Sequence, residues 1–168
     1  VDPVSGAVTV SIPFRAIDNA GKESTTTGEA RLPFTTLSLA GNVFNDLDGL
    51  TDNTVDGTGI GTPSGTQLHA NLLNSAGNVI ATIPVGSGGA YNFTNLEGGS
   101  YTVQVTTVAG TPGNPAPANT LPTNWVNTGE NLGTGAGNDG TVNGRLPVTL
   151  TTTNVTNANF GIDRIPLA

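Results

Sequence analysis

Apolar side chains in this chain recur at every second position, and nowhere at the third and fourth positions over a helical length. Val8-Thr9-Val10-Ser11-Ile12 alternates and continues through Phe14 and Ala16. Tyr91 and Phe93 share one side of their segment, and Tyr101, Val103 and Val105 share one side of the next. Asn157-Ala158-Asn159-Phe160-Gly161-Ile162-Asp163 sets Ala158, Phe160 and Ile162 inward. A period of two belongs to β-strands with one buried face, so the chain is predicted to be all-β with almost no helix. Composition decides whether such a chain folds: apolar residues are 35% and charged residues only 10%. Disordered chains combine low hydrophobicity with dense charge, whereas Thr, Val, Gly and Asn suit strands and turns.

Turn residues divide the chain into regions. Residues 1–36 read as two strands around Asp18-Asn19-Ala20-Gly21-Lys22, the second running Glu29–Phe34. Pro13 and Pro33 remove ladder donors, which places these strands at an edge or a bulge. Residues 37–108 carry the densest β-pattern: Leu39 to Phe44, a hairpin joining Gln67–Leu72 to Val79–Ile83, and the strands around Tyr91 and Tyr101. In the hairpin, Gln67, His69 and Asn71 fall on the polar face. Residues 109–140 are rich in Gly, Pro and Asn and are predicted to form a long loop anchored at Trp125 and Val126, with strands resuming at 145–150 and 155–162.

The net charge of −7 and five scattered basic residues exclude a nucleic-acid partner, and no run of 18 apolar residues is available for membrane insertion. With no Cys, disulfides and thiol chemistry are absent. The chain begins at Val1 and lacks Met, as expected of a processed chain or a segment of a longer one.

The acidity is concentrated. Asp46, Asp48 and Asp52 form D-x-D-G-x-x-D, with Asn45, Asn53 and Asp56 close by and no Lys or Arg within the loop. Calcium takes six to eight oxygens, which a compact loop supplies from alternating side chains and a backbone carbonyl. Gly49 permits a sharp bend that would turn the Leu50 carbonyl inward. The plain alternative is a solvated Asp-rich turn, but carboxylates this close repel without a cation. Gly and Glu are missing from the positions an EF-hand requires. A second acidic group, Glu130-Asn131 with Asn138-Asp139-Gly140, either completes this site or builds another.

Catalysis finds little support. His69 is the only histidine, no G-x-S-x-G elbow is present, and the carboxylates crowd one loop instead of facing each other across a cleft. The chain is predicted not to be an enzyme.

Gly41-Asn42-Val43-Phe44-Asn45-Asp46, the acidic loop, Gly88-Gly89-Ala90-Tyr91-Asn92-Phe93-Thr94-Asn95-Leu96, Gly99-Ser100-Tyr101-Thr102-Val103 and Asn159-Phe160-Gly161 follow one another in a familiar order. Over about residues 38–164 the chain resembles the SdrD B-like repeats, calcium-binding, Cna-B-related modules of bacterial surface proteins. The resemblance implies an immunoglobulin-like β-sandwich over residues 37–168, rigidified by Ca2+ and serving as an extracellular stalk or spacer. It carries the ligand role to Asp46, Asp48 and Asp52, with Asp139 matching the later acidic stretch. Gly49 stands two residues earlier than in the usual D-x-N-x-D-G form. Some relatives carry a Lys–Asn cross-link, but the only lysine, Lys22, lies outside the resembling region.

Residues 1–36 resemble the closing hairpin of a different Ig-like repeat. An isolated hairpin is marginal in water and its edges invite pairing. Either it completes a sheet of its own chain or it adds strands to a neighbouring copy by donor-strand complementation through Val8, Val10, Ile12, Phe14, Leu32 and Phe34. The second option makes the chain its own partner in a head-to-tail homopolymer. The alternative function is a calcium-dependent adhesin module that binds protein or glycan, with Trp125 and Tyr91 stacking on sugar rings.

Overall fold

The structure, a computed structural model, describes residues 8–34, 36–133 and 139–165. The chain divides into two compact units, Val1–Thr36 and Leu37–Ala168.

In the first unit β1 (Val8–Phe14) pairs antiparallel with β2 (Gly28–Phe34). The register sets apolar positions opposite one another: Val8 faces Phe34, Val10 faces Leu32, and Ile12 faces Ala30. At the turn, Asp18 Oδ1 accepts the N–H groups of Ala20 and Lys22, each at 2.9 Å. Phe14 lies opposite Gly28, where a Cβ would come within 2.7 Å of its ring, so the missing side chain makes room for the ring. Even so, Phe14 is 53% exposed, Ile12 48% and Ile17 65%.

The second unit is an all-β, immunoglobulin-like sandwich. One sheet has the order β10-β8-β5-β6, built from β5 (His69–Leu73), β6 (Val79–Pro84), β8 (Gly99–Thr106) and β10 (Arg145–Leu150). The other has the order β4-β3-β11-β9, from β3 (Leu37–Asn45), β4 (Thr58–Gly59), β9 (Trp125–Leu132) and β11 (Ala158–Arg164). β7 (Ala90–Leu96) also pairs with β3. All pairs are antiparallel except β3 with β11, which run parallel. The only helical pieces among the described residues are two 3₁₀ turns, Gly49–Thr51 and Pro63–Gly65.

The alternating residues meet between the sheets: Leu39, Leu72, Val103, Val105, Leu146, Phe160 and Ile162 are buried. Tyr91 joins them, its ring centre 6.0 Å from Phe93 and 6.3 Å from Phe160, while its hydroxyl donates to the Ala158 carbonyl. Each buried aromatic of this size adds roughly 2–3 kcal/mol of apolar stabilisation.

Two expectations are corrected. The polar face that carries Asn71 is not a surface, since Asn71, Gln104 and Thr106 are wholly buried. The segment after β8 crosses over them, and they bind its backbone: Asn71 Nδ2 to Val108 O at 3.1 Å, Gln104 Nε2 to Pro117 O at 3.0 Å, Thr106 Oγ1 to Ala118 O at 2.9 Å. Buried polar groups need such partners, so a polar strand face can bind a loop as readily as water. The predicted 109–140 loop also contains a full strand, β9. Its sequence hides the strand because Gly129 interrupts the alternation, for a reason that the acidic loop supplies.

Candidate metal centre

The acidic loop leaves and returns to the same strand. β3 ends at Asn45, and β4 pairs back onto it with Phe44 opposite Gly59 and Asn45 opposite Thr58. Asp56, two residues before Thr58, is thereby brought to Asp46. Gly57 makes the return possible, since it holds φ +116° and a Cβ there would clash with the Asn45 carbonyl.

Between these ends the loop lies over the outer face of the β3-β11-β9 sheet. Two strand glycines give it space. A Cβ on Gly129 would sit 3.0 Å from the Leu50 side chain and 3.2 Å from Val55. A Cβ on Gly161 would sit 2.5 Å from Asp46 Oδ2 and closer still to Thr128 Oγ1. Glycine inside a strand weakens it unless something must approach closely, and here the loop does. Gly161→Ala is therefore expected to push the Asp46 carboxylate off its seat. Overpacking of this kind costs about 1–3 kcal/mol, and a thermal melt without metal measures it.

Asp46 is fully buried. Its N–H donates to Ile162 O at 2.9 Å, and its Oδ2 accepts the Thr128 hydroxyl at 2.6 Å. Oδ1 is buried without a partner, as is Oδ1 of the preceding Asn45. Burial, above all, pushes the Asp46 pKa up to about 6. The Thr128 hydroxyl pulls it down, and the nearby carboxylates of Asp48 and Asp56 push it up again. Carboxylate oxygens of Asp46, Asp48 and Asp56 can all lie within 4.8 Å of one another. Two ligands of one calcium ion, each about 2.3–2.6 Å from it, are separated by no more than about 5 Å. The oxygen-only donor set, which includes a buried carboxylate with one partnerless oxygen, fits a hard divalent cation. It does not fit zinc, which favours Cys and His.

The remaining candidates make other contacts. The Leu50 carbonyl accepts Asn53 N–H at 3.1 Å, and Asp52 Oδ1 caps Thr54 N–H at 2.9 Å. Neither is in the three-aspartate group. Glu130 is fully buried; its Oε1 accepts Asn143 N–H at 3.0 Å and the Gly144 N–H, and its Oε2 has no partner. Burial pushes its pKa up to about 7, those two N–H groups pull it down, and the Asp139 charge raises it. Asp139 is exposed; its N–H donates to Glu130 O and its Oδ1 accepts Thr141 N–H at 2.9 Å. Asn138 lies outside the described residues. Thr128, which holds Asp46, carried no signal of its own in the sequence. The isolated glycines at 129 and 161 were the available sign that something packs close to those strands.

No protein-family model matches the chain, and no curated protein matches it. Among solved structures it is similar to GBS52, the minor pilin of the Gram-positive pathogen Streptococcus agalactiae, with 13% identity and a TM-score of 0.42. The match covers 90% of this chain and 59% of that one, so the chain spans about three-fifths of the pilin's length.

Proposed function

We propose that this chain is a structural module of an extracellular bacterial fibre or surface stalk, stiffened by calcium and joined head-to-tail by strand pairing. The observation that carries the proposal is the buried Asp46 carboxylate, one oxygen of which has no partner, grouped with those of Asp48 and Asp56. An unpaired buried charge costs several kcal/mol. A calcium ion held by Asp46, Asp48 and Asp56, with Asn45 Oδ1 as a further oxygen, removes that cost. It ties β3, the returning loop and, through Thr128, β9 into one block. Glu130 and Asp139 serve a separate polar junction between β9 and the start of β10. The likeness to SdrD B-like repeats agrees with this reading, as does the absence of cysteine.

The joint between modules is assigned to residues 1–36. Ile12 and Phe14 present large exposed apolar surface, and a two-stranded ribbon has two open edges. The side chains of Val8, Val10, Leu32 and Phe34 lie outside the described residues. Sugar stacking on Tyr91 is excluded, because that ring is buried in the core. Trp125 is half-buried, with its Nε1 bonded to Ser64 Oγ at 2.9 Å. Electron microscopy of the purified chain in calcium is expected to show filaments that disappear when residues 1–36 are deleted. Monodisperse monomers at every concentration would remove the fibre reading.

A further inference from the structure

Among the described residues each of the four lateral edges of the sandwich is interrupted at some point by the chain's own residues. On β10, Val105 N–H donates to Gly144 O at 3.0 Å, and ladder bonds alternate, so Arg145, Pro147 and Thr149 turn their backbone groups outward. Arg145 N–H is taken by Asn143 Oδ1 at 2.8 Å, and Pro147 has no N–H. On β6, Val85 N–H donates to Leu68 O at 2.9 Å, which turns Thr82 and Pro84 outward. Pro84 lacks a donor, and Val79 is bonded to Gly113 and Asn114, each at 2.8 Å. On β9, Glu130 O already accepts Asp139 N–H at 2.7 Å.

β7 differs in what it leaves open. Ala40 N–H goes to Val155 O at 2.8 Å and Val43 N–H to Gly89 O at 2.9 Å, so Ala40 and Asn92 form a pair without mutual hydrogen bonds. Asn92 and Thr94 accordingly turn their N–H and C=O groups away from β3. Among the described residues these groups have no partner. The strand, AYNFTNL, has neither proline nor charge. Proline and charge are two of the devices that protect natural edges.

We propose that the β7 edge receives β1 of a second copy of this chain, which continues the sheet. This inference rests on the fibre reading above. β1 suits the role better than β2, because β1 is uncharged while β2 carries Glu29 and Arg31. β6 comes against β7 on this side of the sandwich, and its Ala81 and Ile83 are only half-buried. The apolar residues of an added strand cover them. A contact between different surfaces of successive copies propagates as a filament wherever its rotation does not close a ring.

Asn92→Pro with Thr94→Pro removes both outward donors and leaves the bonds to β3 in place. The double variant is expected to keep the wild-type melting temperature and to lose at least tenfold of the sedimentable polymer. If it polymerises like the parent while deletion of residues 1–36 prevents polymer, the β7 assignment is wrong and the fibre reading stands. If the deletion also polymerises, or if the parent never does, both fall. Should the proline variant fail to fold, cysteine pairs decide, since the chain has no native Cys. A mixture of the Ser11→Cys chain with the Asn92→Cys or Thr94→Cys chain is expected to form a disulfide dimer. A Ser11→Cys mixture with Thr149→Cys on β10 is not, and equal yields on the two edges would overturn the assignment.

Discussion

Chelating calcium is expected to lower the melting temperature of the chain by about 10 °C, and restoring calcium to return it. An ion present at about 100 times its dissociation constant and bound only by the folded state adds about 2.7 kcal/mol. For a unit of this size that corresponds to roughly 8–12 °C. A single substitution separates this from general salt effects. Asp46→Asn retains an acceptor for the Thr128 hydroxyl but removes the buried charge. It is expected to abolish the calcium response and yet to be no less stable than the parent in chelator at pH 7.5. The reason lies in the pKa of Asp46, held at about 6 instead of 3.8. Ionising it in the calcium-free fold therefore costs up to about 3 kcal/mol. Calcium affinity should also weaken as pH falls through 6, where protons compete for that carboxylate. Calorimetry in calcium and in chelator checks each point; an unchanged melting temperature in both would remove calcium from the account.

Glu130→Gln is expected to stabilise the protein by about 3 kcal/mol at pH 8 and to have little effect at pH 4. Burial holds the native Glu130 pKa at about 7, against 4.5 for the free group. The folded state thus binds the proton more tightly than the unfolded state. Stability linked to this residue is complete below pH 4.5 and is lost as pH rises toward 7, at about 1.4 kcal/mol per unit. Glutamine stays neutral throughout and keeps an oxygen for the N–H groups of Asn143 and Gly144. Urea unfolding of both forms from pH 4 to 8 measures the difference. Parallel curves would show that Glu130 does not titrate in this range.

The strands that could be read from the sequence are those whose neighbours obey the alternation. Tyr91–Phe93, Tyr101–Val105 and Ala158–Ile162 each place one side against apolar partners, and period two is the direct trace of that. β9 was not readable because its two faces answer to different constraints. Glu130 bonds the turn before β10, while Gly129 must stay bare beneath Leu50 and Val55. The polar face of β5 misled for a related reason: Asn71 looks the same in sequence whether it meets water or the Val108 carbonyl. In the acidic loop, the pattern points to Asp46, Asp48 and Asp52 with Asp56 close by, and the structure groups Asp46 and Asp48 with Asp56. The pattern could not rank the ligands, because what separates Asp56 from Asp52 is the return of β4 onto β3. Thr128 is 82 positions from Asp46 and meets it only through two successive strand pairings.

The parallel pairing of β3 with β11 has a mechanical meaning. They are the first and last strands of the larger unit, they lie side by side, and they point the same way. Tension applied at Leu37 and Arg164 therefore pulls them past each other lengthwise. The hydrogen bonds between them are loaded together in shear, not opened one after another like a zipper. The aspartate loop is fastened where these strands meet, with Asp46 N–H on Ile162 O. A cation held there, as proposed, would act as a rivet through the line of force.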